Sequence, residues 1–64
     1  MSKLDPEEHW LATGYFFVVD AEGAEVPGTR RQVERGVPRA QARAIAVALQ
    51  AGAGPDCYVE FRAA

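Results

Sequence analysis

The sequence predicts a small α+β protein. One domain over residues 1–64 is expected, built as a mainly antiparallel sheet of three or four strands, with one long helix on one face and a short N-terminal helix. Three observations point this way. Tyr15-Phe16-Phe17-Val18-Val19 is an unbroken run of aromatic and β-branched residues, which fit a pleated, buried surface. Six alanines fall between Ala40 and Ala51, where Ala42, Ile45, Ala46 and Leu49 recur at helical spacing. From Cys57 to Arg62 the chain alternates, with Cys57, Val59 and Phe61 on one side and Tyr58, Glu60 and Arg62 on the other, as in a half-buried strand. A hairpin or meander, then a helix, then a final strand closes most simply as a sheet with the helix across it.

Asp5-Pro6-Glu7-Glu8 has the composition of a helix start, with Asp5 as cap, Pro6 in the first turn and Glu8 three residues after the cap. Thr13-Gly14 stops that helix early, and Leu4, Trp10 and Leu11 are its apolar contribution. The run 15–19 has no polar face, so it is expected to be a central strand covered on both sides. Either Phe16 and Val18 or Tyr15, Phe17 and Val19 face the long helix; the other set falls to Trp10 and Leu11, or to a partner. Asp20-Ala21-Glu22-Gly23 is a turn, and Ala24-Glu25-Val26 begins the return strand. Val26-Pro27-Gly28-Thr29 places proline and glycine where a type II turn wants them. Residues 30–35 alternate around Val33 and read as an edge strand, with a helical turn capped by Thr29 as the alternative. Pro38 opens the long helix, which runs to Gln50 or Ala51, and Gly52-Ala53-Gly54-Pro55 ends it.

Composition narrows the function classes. A chain this short buries only about 60% of its unfolded surface and needs some added source of stability. Cys57 is alone, so no internal disulfide can form. His9 and Cys57 are the only nitrogen or sulfur ligands, too few for a structural zinc, and no cofactor is expected. A dense core or self-association remains, and a 48% hydrophobic content suits either. No apolar run is long enough for a membrane span. The N-terminal segment is polar and acidic, unlike a signal peptide, and the free cysteine fits a reducing compartment. The cytoplasm of a bacterial or phage-infected cell is therefore expected, and six arginines against one lysine suit a GC-rich genome. One histidine, one cysteine, one serine and no asparagine leave too few groups to converge on a reaction, so no catalytic residue is assigned.

The net charge of −2 hides an asymmetry. Residues 1–28 hold one lysine against six acids, and residues 29–64 hold six arginines against three acids. Arg30, Arg31, Arg35, Arg39 and Arg43 are candidates to contact a partner, since guanidinium groups fit carboxylates and phosphates bidentately. Asp5, Glu7, Glu8, Asp20, Glu22 and Glu25 form the acidic counterpart, and internal pairing of the two sets is the plainer alternative. Val47 lies one turn after Arg43 on a smooth, alanine-rich helix face that suits a second copy or a partner protein.

Gly14 to Gly23 followed by the alanine-rich helix loosely resembles the sheet-then-helix plan of HicB-type antitoxins and of the arm-binding domains of phage integrases, over residues 14–51. The size and mixed charge are also similar to those of phage-encoded inhibitors such as anti-CRISPR proteins. The expectation is a non-enzymatic module that occupies the surface of a partner protein, a phage or mobile-element inhibitor being the concrete version. The alternative is a small nucleic-acid-binding or antitoxin-type regulator that uses Arg30 to Arg43 on phosphates. No membrane partner is expected; a homodimer is a further option.

Overall fold

The computed structural model describes residues 5–64. Four elements follow one another: β1 (Gly14–Val19), β2 (Arg31–Val33), α1 (Arg39–Gly52) and β3 (Tyr58–Ala63). The strands form one antiparallel sheet in the order β2-β1-β3. β1 lies in the centre, where a strand with two apolar faces belongs. It pairs with β2 from Gly14↔Val33 to Phe16↔Arg31, and with β3 along its whole length, from Gly14↔Ala63 to Val19↔Tyr58. Within segment 30–35 only Arg31–Val33 form the edge strand, and α1 carries the chain from one edge of the sheet to the other.

Side chains alternate along a strand, so Phe16, Val18, Val59 and Phe61 share one face, and Tyr15, Phe17, Val19, Tyr58, Glu60 and Arg62 share the other. Helix α1 covers the first. Phe16, Val33 and Ala42 form the buried centre, with Ile45, Ala46, Leu49, Val59 and Phe61 packed against it. Ala42 is 0% exposed, so α1 meets the sheet at a small, fully covered residue. The rings of Trp10, Phe16 and Phe61 all meet, with centroids 5.3, 5.0 and 5.2 Å apart and tilted or edge-on geometry. Such pairs add to what their burial contributes.

Three expectations are corrected. No short N-terminal helix is present among the described residues: Asp5 caps a turn, accepting the Glu7 N–H on Oδ1 at 2.9 Å, and the turn then stops. Residues 1–4, with Leu4, lie outside the described residues. The helix loses to pairing with a distant segment. Trp10 N–H donates to Val37 O at 2.9 Å, Gly36 N–H to Trp10 O at 2.7 Å, and Arg39 N–H to Glu8 O at 2.6 Å, so the chain at 8–10 is drawn out beside 36–39. The second correction follows from the first. Trp10 packs on the same face as α1, so it does not cover the far side of β1.

The return strand at 24–26 shrinks to a single bridge, Val19↔Glu25, with Val26 N–H donating to Val18 O at 2.8 Å. Gly28 takes φ 78°, the left-handed position that the turn after Pro27 requires. Thr29 then substitutes for a ladder residue: its hydroxyl accepts the Val18 N–H at 3.0 Å and donates to Val26 O at 2.7 Å. No helix among the described residues is long and apolar enough to cross a membrane.

Candidate functional site

The sheet face turned away from α1 is lined by side chains from all three strands. No helix of the described residues lies on it, yet Phe17 is 2% and Val19 3% exposed. Arginine supplies part of the cover. The Arg62 guanidinium carbon sits 4.9 Å from the Phe17 ring centre, and that of Arg30 sits 4.4 Å from the Tyr15 ring centre. Tyr15 and Phe17 are themselves 5.7 Å apart. The long arginine side chains lay apolar stems and a weakly hydrated cation over the rings and keep their polar edges in water.

Glu25 holds Arg30 in place from the side. Its two carboxylate oxygens accept from Arg30 Nε at 2.6 Å and Nη2 at 3.0 Å, a bidentate fork. The hydrogen bond with Arg30 holds the Glu25 carboxyl below its ordinary value against the opposing effect of burial, and attraction to Arg30 and Arg62 adds to it. Arg30 is raised by the same bond. Because the folded-state value of Glu25 is depressed, the pair stabilises the fold at neutral pH, and that contribution is lost as the pH falls from the ordinary glutamate range through the lowered value. Both groups face solvent, so the effect is small and screened by salt. Glu25→Gln is expected to flatten the acid side of the thermal stability profile at low ionic strength and to match the wild type in strong salt; identical profiles at low salt would show that the pair contributes nothing.

The other sequence-derived candidates are spread over three places. Strand alternation sends Arg31 to the face opposite Arg30, where it borders Ile45, Ala48 and Leu49 of α1 and donates to Arg30 O at 2.9 Å and Gly28 O at 3.2 Å. Arg35 is exposed after β2, with its backbone N–H on Thr13 Oγ1 at 3.1 Å. Arg39 opens α1 and donates from Nη1 to Pro6 O at 2.9 Å, and Arg43 stands exposed one turn later. Among the described residues, Arg30 with Glu25 is the ion pair within 4.0 Å, so internal pairing of the two charge sets is realised only there. Asp20 Oδ1 accepts the N–H groups of Glu22 and Ala24, both at 2.9 Å, which shapes the turn after β1. Glu7, Glu8 and Glu22 are exposed, as is Val47 at 59%.

Tyr58, Glu60 and Arg62 were not among the sequence-derived candidates, although the alternation of 57–62 already placed them together; Tyr15 and Phe17 entered only as one possible strand face for a partner to cover. What sequence lacked was the register that sets Arg62 beside Phe17. Among the described residues no group of three or more His, Cys, Asp or Glu is arranged to hold a metal ion. No family model, curated protein or solved structure matches the chain, so the likeness drawn over residues 14–51 gains no support and function rests on the chemistry of this face.

Proposed function

We propose that the chain is a non-enzymatic binding module that occupies the surface of a partner protein, in concrete form an inhibitor of the anti-CRISPR kind encoded by a phage or mobile element. One observation carries the reading. The sheet face away from α1 presents Tyr15, Tyr58, Arg30 and Arg62, with both arginines laid on aromatic rings, Glu25 forked onto Arg30, and Glu60 on the same face. Tyrosine, phenylalanine and arginine are the residues that anchor protein interfaces. Side chains already ordered on rings lose less freedom when a partner arrives. A phosphate backbone instead rewards unbalanced positive charge.

The second reading, a regulator bound to nucleic acid, is favoured by a different observation: Arg31, Arg35, Arg39 and Arg43 have no carboxylate partner within 4.0 Å among the described residues. Affinity purification of the tagged chain from host lysate, with and without nuclease, separates the two. The expected result is a stoichiometric protein that survives nuclease and moderate salt, with affinity weakened about tenfold or more by Tyr58→Ala or Arg62→Ala. Nucleic acid that washes off with salt, and that Arg39→Glu with Arg43→Glu abolishes, would establish the second reading.

A further inference from the structure

β3 is paired on one side only. In an antiparallel ladder, residues whose backbone groups point to one neighbour alternate with residues whose groups point away. Ala64 N–H donates to Thr13 O at 2.8 Å, across the continuation of the β1–β3 register. Counting back from there, the N–H and C=O groups of Arg62, Glu60 and Tyr58 serve β1. Those of Val59, Phe61 and Ala63 point out of the sheet, at an edge where no strand lies among the described residues. The edge is six residues long and regular in register, and it contains neither proline nor lysine. Proteins blunt such an edge with proline, bulges or charged side chains; β3 has only Glu60 and Arg62, one of each sign, which oppose an arbitrary strand and suit one of complementary charge.

We propose that β3 pairs with β3 of a second copy, antiparallel, about a twofold axis at Phe61. This inference concerns the edge of the sheet and shares Glu60 and Arg62 with the face proposed for a partner; association of the purified chain alone reads the edge separately. Backbone direction allows only registers that pair residues 59, 61 and 63 with one another. The axis at Phe61 sets Glu60 opposite Arg62 of the copy, and Arg62 opposite its Glu60. Moving the axis to Glu60 sets glutamate against glutamate, and moving it to Arg62 sets arginine against arginine. Opposite charges directly across strands stabilise pairing, and like charges oppose it. Neither Glu60 nor Arg62 has an ion-pair partner among the described residues, and the Arg62 guanidinium, seated over Phe17, would swing outward to meet Glu60 of the copy. The same contact made twice is what an isologous dimer requires.

In this arrangement the outward backbone groups of Val59, Phe61 and Ala63 bond to those of Ala63, Phe61 and Val59 of the copy. Two three-stranded sheets become one of six strands, with both α1 helices on the same side. Gln50 Nε2 donates to Cys57 O at 3.3 Å, which marks the flank of α1 that lies toward β3. Val47, one turn earlier on that flank, is 59% exposed, so an apolar side chain already stands on the side where the copy arrives.

Light scattering or sedimentation from micromolar to millimolar concentration tests the pairing. The wild type is expected to dimerise. Glu60→Arg and Arg62→Glu are each expected to weaken association by about tenfold or more, because each sets like charges opposite one another. An equimolar mixture of E60R and R62E is expected to associate again, since one chain then offers two cations to two carboxylates of the other. Amide exchange gives a readout on the unaltered protein: protection of the Val59, Phe61 and Ala63 N–H groups should rise with concentration. A wild type that stays monomeric at millimolar concentration, a dimer indifferent to both substitutions, a mixture that does not associate, or exchange at these amides that ignores concentration would each overturn the proposal.

Discussion

Gly14→Ala is expected to unfold the protein or bring it close to unfolding. Gly14 opens β1 and is buried between β2 and β3. A Cβ there would stand 2.7 Å from Phe61 Cζ and 2.8 Å from Ala63 Cα, and would collide with the Arg62 carbonyl oxygen. Two of these three neighbours are backbone, held by the ladder between β1 and β3, so they cannot swing aside as a side-chain tip could. Overpacking a core costs about 1–3 kcal/mol, and more where backbone must move. The whole fold of a 64-residue chain has only roughly 3–10 kcal/mol to lose. A fall in midpoint of about 15 °C or more is therefore expected in thermal unfolding followed by circular dichroism. Gly52→Ala is the control. Nothing lies within 4 Å of its added carbon, and alanine favours helix, so an unchanged or higher midpoint is expected. A Gly14→Ala variant that melts with the wild type would mean that β1 and β3 do not approach as described.

Phe16→Ala is the second large effect. Phe16 is 7% exposed, touches both Trp10 and Phe61, and lies at the centre of the face that α1 covers. Removing a buried phenylalanine costs about 3–5 kcal/mol, because the hole it leaves refills only in part. In this cluster the loss spreads beyond the ring itself. Trp10 fixes the extended segment at 8–10 against 36–39, so weakening its aromatic seat loosens the N-terminal segment as well. Denaturant unfolding followed by the fluorescence of Trp10, the single tryptophan, reads both effects. The alanine variant is expected to have lost most of its unfolding transition, and Phe16→Leu, which keeps much of the volume, to recover a large part. An alanine variant with wild-type stability would show that the three rings do not form the core.

The main elements were legible because their signals are local and strong. An apolar run with no polar face can only be comfortable in the middle of a sheet, and β1 is there. The alanine-rich stretch after Pro38 has both propensity and a face, and α1 spans Arg39–Gly52. The strand after Pro55 alternates, and β3 buries the Val59 and Phe61 side. The misreadings have a shared physical cause. Asp5-Pro6-Glu7-Glu8 satisfies the rules for starting a helix, but backbone pairing with residues 36–39 decides the outcome, and nothing near Asp5 announces it. The cover on Phe17 was equally hidden, because it comes from a charged residue, Arg62, more than forty positions away. A reading by hydrophobic pattern counts arginine as a polar residue, while its stem and guanidinium plane can shield a ring. The candidate site was legible in part for the same reason: Arg30 and Glu25 could be picked out as charges, but not as a pair seated over Tyr15.

The ladder between β1 and β3 also determines how the chain can fold. Its paired residues are separated by roughly 40 to 50 positions, so most of the sheet forms only after a long loop has closed. The nearer pairing of β1 with β2 comprises three residue pairs, and two-stranded ribbons of that size are not stable alone. Helix α1 needs Phe16 and Phe61 to bury its apolar stripe, so it has no independent footing either. No smaller unit persists until β3 reaches β1. Folding is then a single all-or-none event on the slower timescale of non-local topologies, and every residue of the core becomes protected in the same step.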